Sequence, residues 1–122
     1  MATLTPTLTL TSTDISSDAL SFTASNDLVI TNPVQGISRK VAATGSAFEI
    51  YDDALDAMAY IYIKNLSTTN YISIATTKST ATQFARLNPG EFMFFCTQPD
   101  AGVSIQANTN PCIVEYASFT KG

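Results

Sequence analysis

The sequence has no histidine and no tryptophan, and only 2 cysteines among 122 residues. Without histidine there is no serine-protease-type triad, no His-bearing zinc site and no imidazole acid–base catalysis. Two cysteines are too few for a four-thiolate zinc site or a dense disulfide scaffold. Charge is scarce too, at 13% of residues against about 25% in an ordinary globular domain. Six basic residues stand against ten acidic ones, for a net charge of −4. Arg39-Lys40 is the only basic pair, so the stripe of cations that phosphate binding needs is missing. The 5 glycines are scattered and form no phosphate loop. The longest apolar run, Met58 to Ile63, is about a third of the ~20 residues of a membrane-spanning helix. Met1-Ala2-Thr3-Leu4-Thr5-Pro6 has neither a basic nor an apolar leader region, so the expectation is a chain made in a reducing cytoplasm. Neither nucleic acid nor membrane is an expected partner.

What the chain does have is apolar residues, at 45%, together with 18 threonines and 12 serines. That hydrophobicity with so little charge is the opposite of a disordered composition. The length suits one domain. The threonines alternate with apolar residues, and a low-complexity linker would show no such period. Threonine is β-branched and fits the half-wet face of a pleated sheet.

The alternation begins at once. In Thr3 to Thr11, Leu4, Leu8 and Leu10 share one face and the threonines take the other. Pro6 has no N–H for a ladder, so this segment reads as an edge strand or an extended arm over residues 1–13. Leu20, Phe22 and Ala24 alternate again, and Leu28-Val29-Ile30-Thr31 runs to a stop at Asn32-Pro33. Strands follow over 36–43, Ala47-Phe48-Glu49-Ile50-Tyr51 and Met58 to Lys64. Asn65 to Asn70 then turns into Tyr71 to Ala75, which reads as a hairpin with the strand before it. Asp52 to Ala57 is too short for a stable helix and reads as a turn. Phe84 to Leu87 precedes Asn88-Pro89-Gly90, a strong turn signal. Phe92-Met93-Phe94-Phe95-Cys96 looks like a buried strand, and Val103 to Ala107 and Cys112 to Ala117 complete the series. About nine or ten short strands with turns at regular intervals predict an all-β antiparallel sandwich, jelly-roll-like, with no long helix. An OB-like or small up-and-down barrel is the alternative. Residues 14–122 are expected to form the single sandwich domain.

Few residues suggest chemistry. Asp52, Asp53 and Asp56, with Glu49 before them, lack EF-hand spacing and a central glycine, and read as a solvated turn. Cys96 and Cys112 both lie in apolar strands and read as buried small hydrophobes. Adjacent final strands leave a disulfide between them geometrically open. The tyrosines and phenylalanines read mostly as packing. Asn65-Leu66-Ser67 matches a glycosylation sequon, which carries little weight without a secretory signal. The expectation is no enzyme, no catalytic or metal-binding residues and no cofactor.

The phrases Tyr60-Ile61-Tyr62-Ile63-Lys64-Asn65, Thr68-Thr69-Asn70-Tyr71-Ile72, Leu87-Asn88-Pro89-Gly90-Glu91-Phe92 and Val114-Glu115-Tyr116 resemble small virion structural proteins of tailed bacteriophages, especially marine ones. The opening Thr5-Pro6-Thr7-Leu8-Thr9-Leu10 has the same character. The resemblance implies a β-rich, homo-oligomeric particle component located in the virion, such as a capsid decoration (cement) protein, as a trimer for instance. It would bind itself and the major capsid protein or other virion proteins. A tail, neck-adaptor or fibre component, or a carbohydrate-binding host-attachment module, is the alternative. The expected contact residues are Leu4, Pro6, Leu8 and Leu10 of the first strand and the turn Asn88, Pro89 and Gly90.

Overall fold

The computed structural model describes residues 2–14, 19–31, 37–51, 57–76, 83–99 and 101–122. The cluster Asp52, Asp53 and Asp56, the Asn32-Pro33 stop and Gly36 lie outside them. The described residues contain no helix. They form twelve strands: β1 (Ala2–Leu4), β2 (Thr7–Ser12), β3 (Leu20–Ser25), β4 (Leu28–Ile30), β5 (Ser38–Ala42), β6 (Phe48–Tyr51), β7 (Ala59–Asn65), β8 (Ile72–Ala75), β9 (Gln83–Leu87), β10 (Phe92–Cys96), β11 (Val103–Ala107) and β12 (Cys112–Thr120). Every pairing is antiparallel. The count exceeds the expected nine or ten partly because the ladder breaks at Pro6. Proline has no N–H to donate, so one expected strand becomes β1 and β2.

The eight strands after β4 form two four-stranded sheets, ordered β10-β7-β12-β5 and β6-β11-β8-β9. Their pairings are nested. β5 pairs with β12, β6 with β11, β7 with β10 and β8 with β9, and successive pairs fall in alternate sheets. A long antiparallel ribbon rolled over itself in this way is a jelly roll. The β7–β8 connection therefore crosses between sheets, and the hairpin expected there does not form. Both strands are apolar on their inner faces, and each gains more burial between two neighbours of its own sheet than at a hairpin edge. Ile61, Ile63 and Val114 of one sheet meet Ile72, Ile74 and Ile105 of the other in a single buried cluster. Isoleucine and valine suit this layer because their branched side chains pack well on a pleated surface.

The two cysteines do not approach each other as adjacent strands would allow. Strand β7 separates β10 from β12, and both thiols are free. Cys112 is buried as expected, whereas Cys96 is exposed. Cys96 follows Phe92 and Phe94 at period two on β10, an edge strand whose alternate residues face outward. The sequon asparagine is also placed. Asn65 is fully buried, and its Nδ2 donates to the carbonyls of Asn70 (2.9 Å) and Leu87 (3.0 Å). Both amide hydrogens are thus engaged within the fold.

Candidate interaction surface

The N-terminal segment expected as an arm over residues 1–13 is one side of a hairpin that returns through β3 and β4. Leu4 lies opposite Leu28, Leu8 opposite Ala24 and Leu10 opposite Phe22. On the other face Thr7 lies opposite Ser25, Thr9 opposite Thr23 and Thr11 opposite Ser21. Residues directly opposite in an antiparallel pair point to the same side. The hairpin therefore has one apolar and one hydroxyl face, the Thr/Leu alternation of the sequence written twice. Across the break at Thr5-Pro6, the Thr5 hydroxyl donates to Asp27 Oδ1 at 2.8 Å, which keeps the two halves in one register.

The base of this arm is fixed to the sandwich. Thr31 N–H donates to the Thr120 carbonyl (3.0 Å) and Gly122 N–H to the Val29 carbonyl (2.9 Å), alongside the end of β12. Ile30 is buried there, and Leu4 and Leu28 are half-buried. Beyond Pro6 the same apolar face lies open. Leu8, Leu10 and Phe22 keep 44%, 46% and 50% of their surface in contact with water.

Opposite the arm lies the outer face of β10. Phe92 and Phe94 point outward from this edge strand, and Phe94 stacks on Tyr60 with ring planes 7° apart and centroids 6.3 Å apart. The strand is therefore not buried on both faces, as its run of apolar residues suggested. Met93 and Phe95 are its half-buried residues and pack against the core cluster. Between arm and sheet runs an open groove of about 520 Å³. Pro6, Leu8 and Ala24 line it from the arm and Phe92, Met93 and Phe94 from the sheet, and Thr7, Ser25 and Asn26 are its polar residues. None of these nine side chains is charged.

Farther across the same sheet the polar chemistry is concentrated at Glu115. Its Oε1 accepts the Tyr62 hydroxyl at 2.8 Å, and its Oε2 accepts Arg39 Nη2 at 3.2 Å. The Tyr62 hydrogen bond, aided by Arg39 and working against partial desolvation, holds the Glu115 carboxyl below its usual range. Burial, with the Glu115 hydrogen bond and charge added, pushes the Tyr62 phenol up to about 12. This is a paired carboxylate under a neutral phenol, an arrangement that fixes side chains rather than moving protons at neutral pH. A second concavity, on the other sheet, is lined by Ser73, Gln83, Ser104 and Gln106. Ser104 and Gln106 there already donate to the Thr76 and Thr44 carbonyls. Among the described residues no group of three or more His, Cys, Asp or Glu could hold a metal ion, and no helix is long and apolar enough to cross a membrane.

The expected contact residues divide into two places. Pro6 and Leu8 line the groove, Leu10 lies beyond it on the exposed arm, and Leu4 is at the half-buried base. Asn88, Pro89 and Gly90 form an exposed turn between β9 and β10, which leads into Phe92. Gly90 has φ = +81°, as the third position of a type II turn requires. Glu91 N–H donates to the Asn88 carbonyl (3.0 Å) and Gly90 N–H to the Asn65 carbonyl (3.0 Å). This turn thus has a structural task at the end of β7. Phe22, Ala24, Phe92 and Phe94 are not among the contact residues expected from the sequence. The period-two spacing of Phe92, Phe94 and Cys96 was the available signal, masked by the intervening Met93 and Phe95. Comparison of the chain with protein-family models, with curated proteins and with solved structures finds no match in any of the three.

Proposed function

We propose that this chain is a structural protein of a bacteriophage particle, a capsid decoration subunit that holds the head shell through contacts with itself and with the shell. One observation carries the assembly part of the reading. The arm is a two-stranded ribbon whose β2 and β3 are exposed along almost their whole length, and a ribbon of that kind is marginal in water by itself. Its apolar face continues one that the sandwich covers at the base, so the arm is shaped to be covered by something outside its own body. The virion part rests on the sequence resemblance. The jelly roll agrees with it by analogy only, since viral capsid domains and lectins share that architecture.

The test is the copy number of the chain in purified particles, read by quantitative mass spectrometry against the major capsid protein. A number commensurate with the shell subunits is expected. A few copies per particle would move the protein to the neck or tail, and absence from particles would overturn the reading.

A further inference from the structure

We propose that the groove between the arm and β10 is the seat for the arm of a second copy of this chain, so that two molecules exchange arms. The inference rests on the assembly reading of the arm and is independent of where in a particle the protein sits. Four observations converge on a second copy as the occupant. First, the groove and the exposed arm belong to one chain and have the same chemistry. Leu10 and Phe22 lie just beyond the groove on the face that lines it, and Phe92 and Phe94 offer aromatic surface to receive them.

Second, the charge distribution is compatible with self-association at this surface. Each chain carries a net −4, so two copies repel over most of their surface. Residues 2–12 and 19–26 contain no charged residue, and neither does the groove lining. Lys64 stands beside the groove, directly opposite Phe92 on the same face, but the arm and the groove lining themselves bring no ion to desolvate, which would be costly. A charged partner would find no counter-charge in the groove. Third, eleven of the twelve residues of β2 and β3 are exposed. With Pro6, Asn26, Phe92, Met93 and Phe94 of the groove they offer sixteen residues for contact, the scale of a small, concentration-dependent interface. A reciprocal exchange about a twofold axis forms each contact twice. Fourth, the groove lacks the convergent polar groups that fix a small ligand. Its polar residues are Thr7, Ser25 and Asn26, and Thr7 and Ser25 belong to the hydroxyl face of the hairpin.

The test uses the full chain in sedimentation velocity over a range of concentrations. The wild type is expected to dimerise. Phe22→Asp on the arm and Phe92→Asp in the groove should each weaken the dimer at least about tenfold. Both positions are exposed, so the far-ultraviolet circular dichroism of each variant should match that of the wild type. The decisive arm is a mixture of the two variants. A heterodimer retains one intact arm-in-groove contact, formed by the wild-type arm of one chain and the wild-type groove of the other. It should therefore form more readily than either variant's own dimer. A wild type that stays monomeric overturns the proposal, as does a dimer indifferent to both substitutions. A mixture without rescue overturns it too, because arm-to-arm stacking would behave that way. A monomer that still decorates particles defeats the exchange and leaves the virion reading standing, and an exchanging dimer absent from particles does the reverse.

Discussion

At the residue scale the informative groups are the polar ones inside or against the sheets. Glu115 has a lowered folded-state pKa, so its contribution to stability is present above its ordinary value of 4.5 and is lost as pH falls through the lowered one. Tyr62 is the opposite case. Its contribution is complete below its ordinary 10.0 and drains away as pH rises to about 12. A phenolate absorbance titration should show a late step near pH 12, and Tyr62→Phe should abolish that step. The same substitution should return the Glu115 carboxyl towards 4.5 in an NMR titration, since the Tyr62 hydroxyl is the largest cause of its shift. Asn65 is a different kind of residue. Besides its two donated bonds, its Oδ1 accepts the Ser67 N–H at 2.9 Å. Asn65→Leu would remove a donor from the Asn70 and Leu87 carbonyls and the acceptor of the Ser67 N–H. It should cost about 3 kcal/mol in urea-unfolding stability. The sequence presented Asn65 only as a sequon, because nothing local shows that a polar residue ends a buried strand.

At the scale of elements, legibility followed period. The clean alternation of Leu4, Leu8 and Leu10, and of Leu20, Phe22 and Ala24, located the strands and faces of the arm. Pro6 marked its weak point. The strand Phe92 to Cys96 was misread because five apolar residues in a row carry no period, and only its edge position leaves Phe92 and Phe94 outside. The β7–β8 connection was misread for a related reason. A short polar turn between two apolar strands serves a hairpin and a sheet crossover equally well, and the choice depends on which neighbours bury the strands. The arm gives a prediction at this scale. In dissociated protein the amides of β2 and β3 should exchange with deuterium far faster than those of β7, β8, β11 and β12, which have neighbours on both sides. Assembly should slow exchange in β2, β3 and β10 and leave the sandwich core unchanged, as read by peptide-resolved mass spectrometry.

At the scale of the molecule, the low charge of the sequence takes on a location. The described ion pair, Arg39 with Glu115, lies on the sheet away from the groove, while the arm and groove are neutral. Self-association through them should therefore hold or strengthen as ionic strength rises and screens the net −4 of each chain, whereas an interface built on opposite surface charges would weaken. Sedimentation at low and high salt measures the difference. By itself the sequence determined the all-β class, the faces of the strands with clean alternation and the low charge of the chain, because side-chain period and composition are local properties of the chain. The nesting of eight strands into a jelly roll, the separation of Cys96 from Cys112, and the meeting of Pro6 and Leu8 with Phe92 and Phe94 were decided only by the tertiary structure. Those relations join residues distant in sequence, and their energy comes from burying one sheet against the other, which no local pattern of residues specifies.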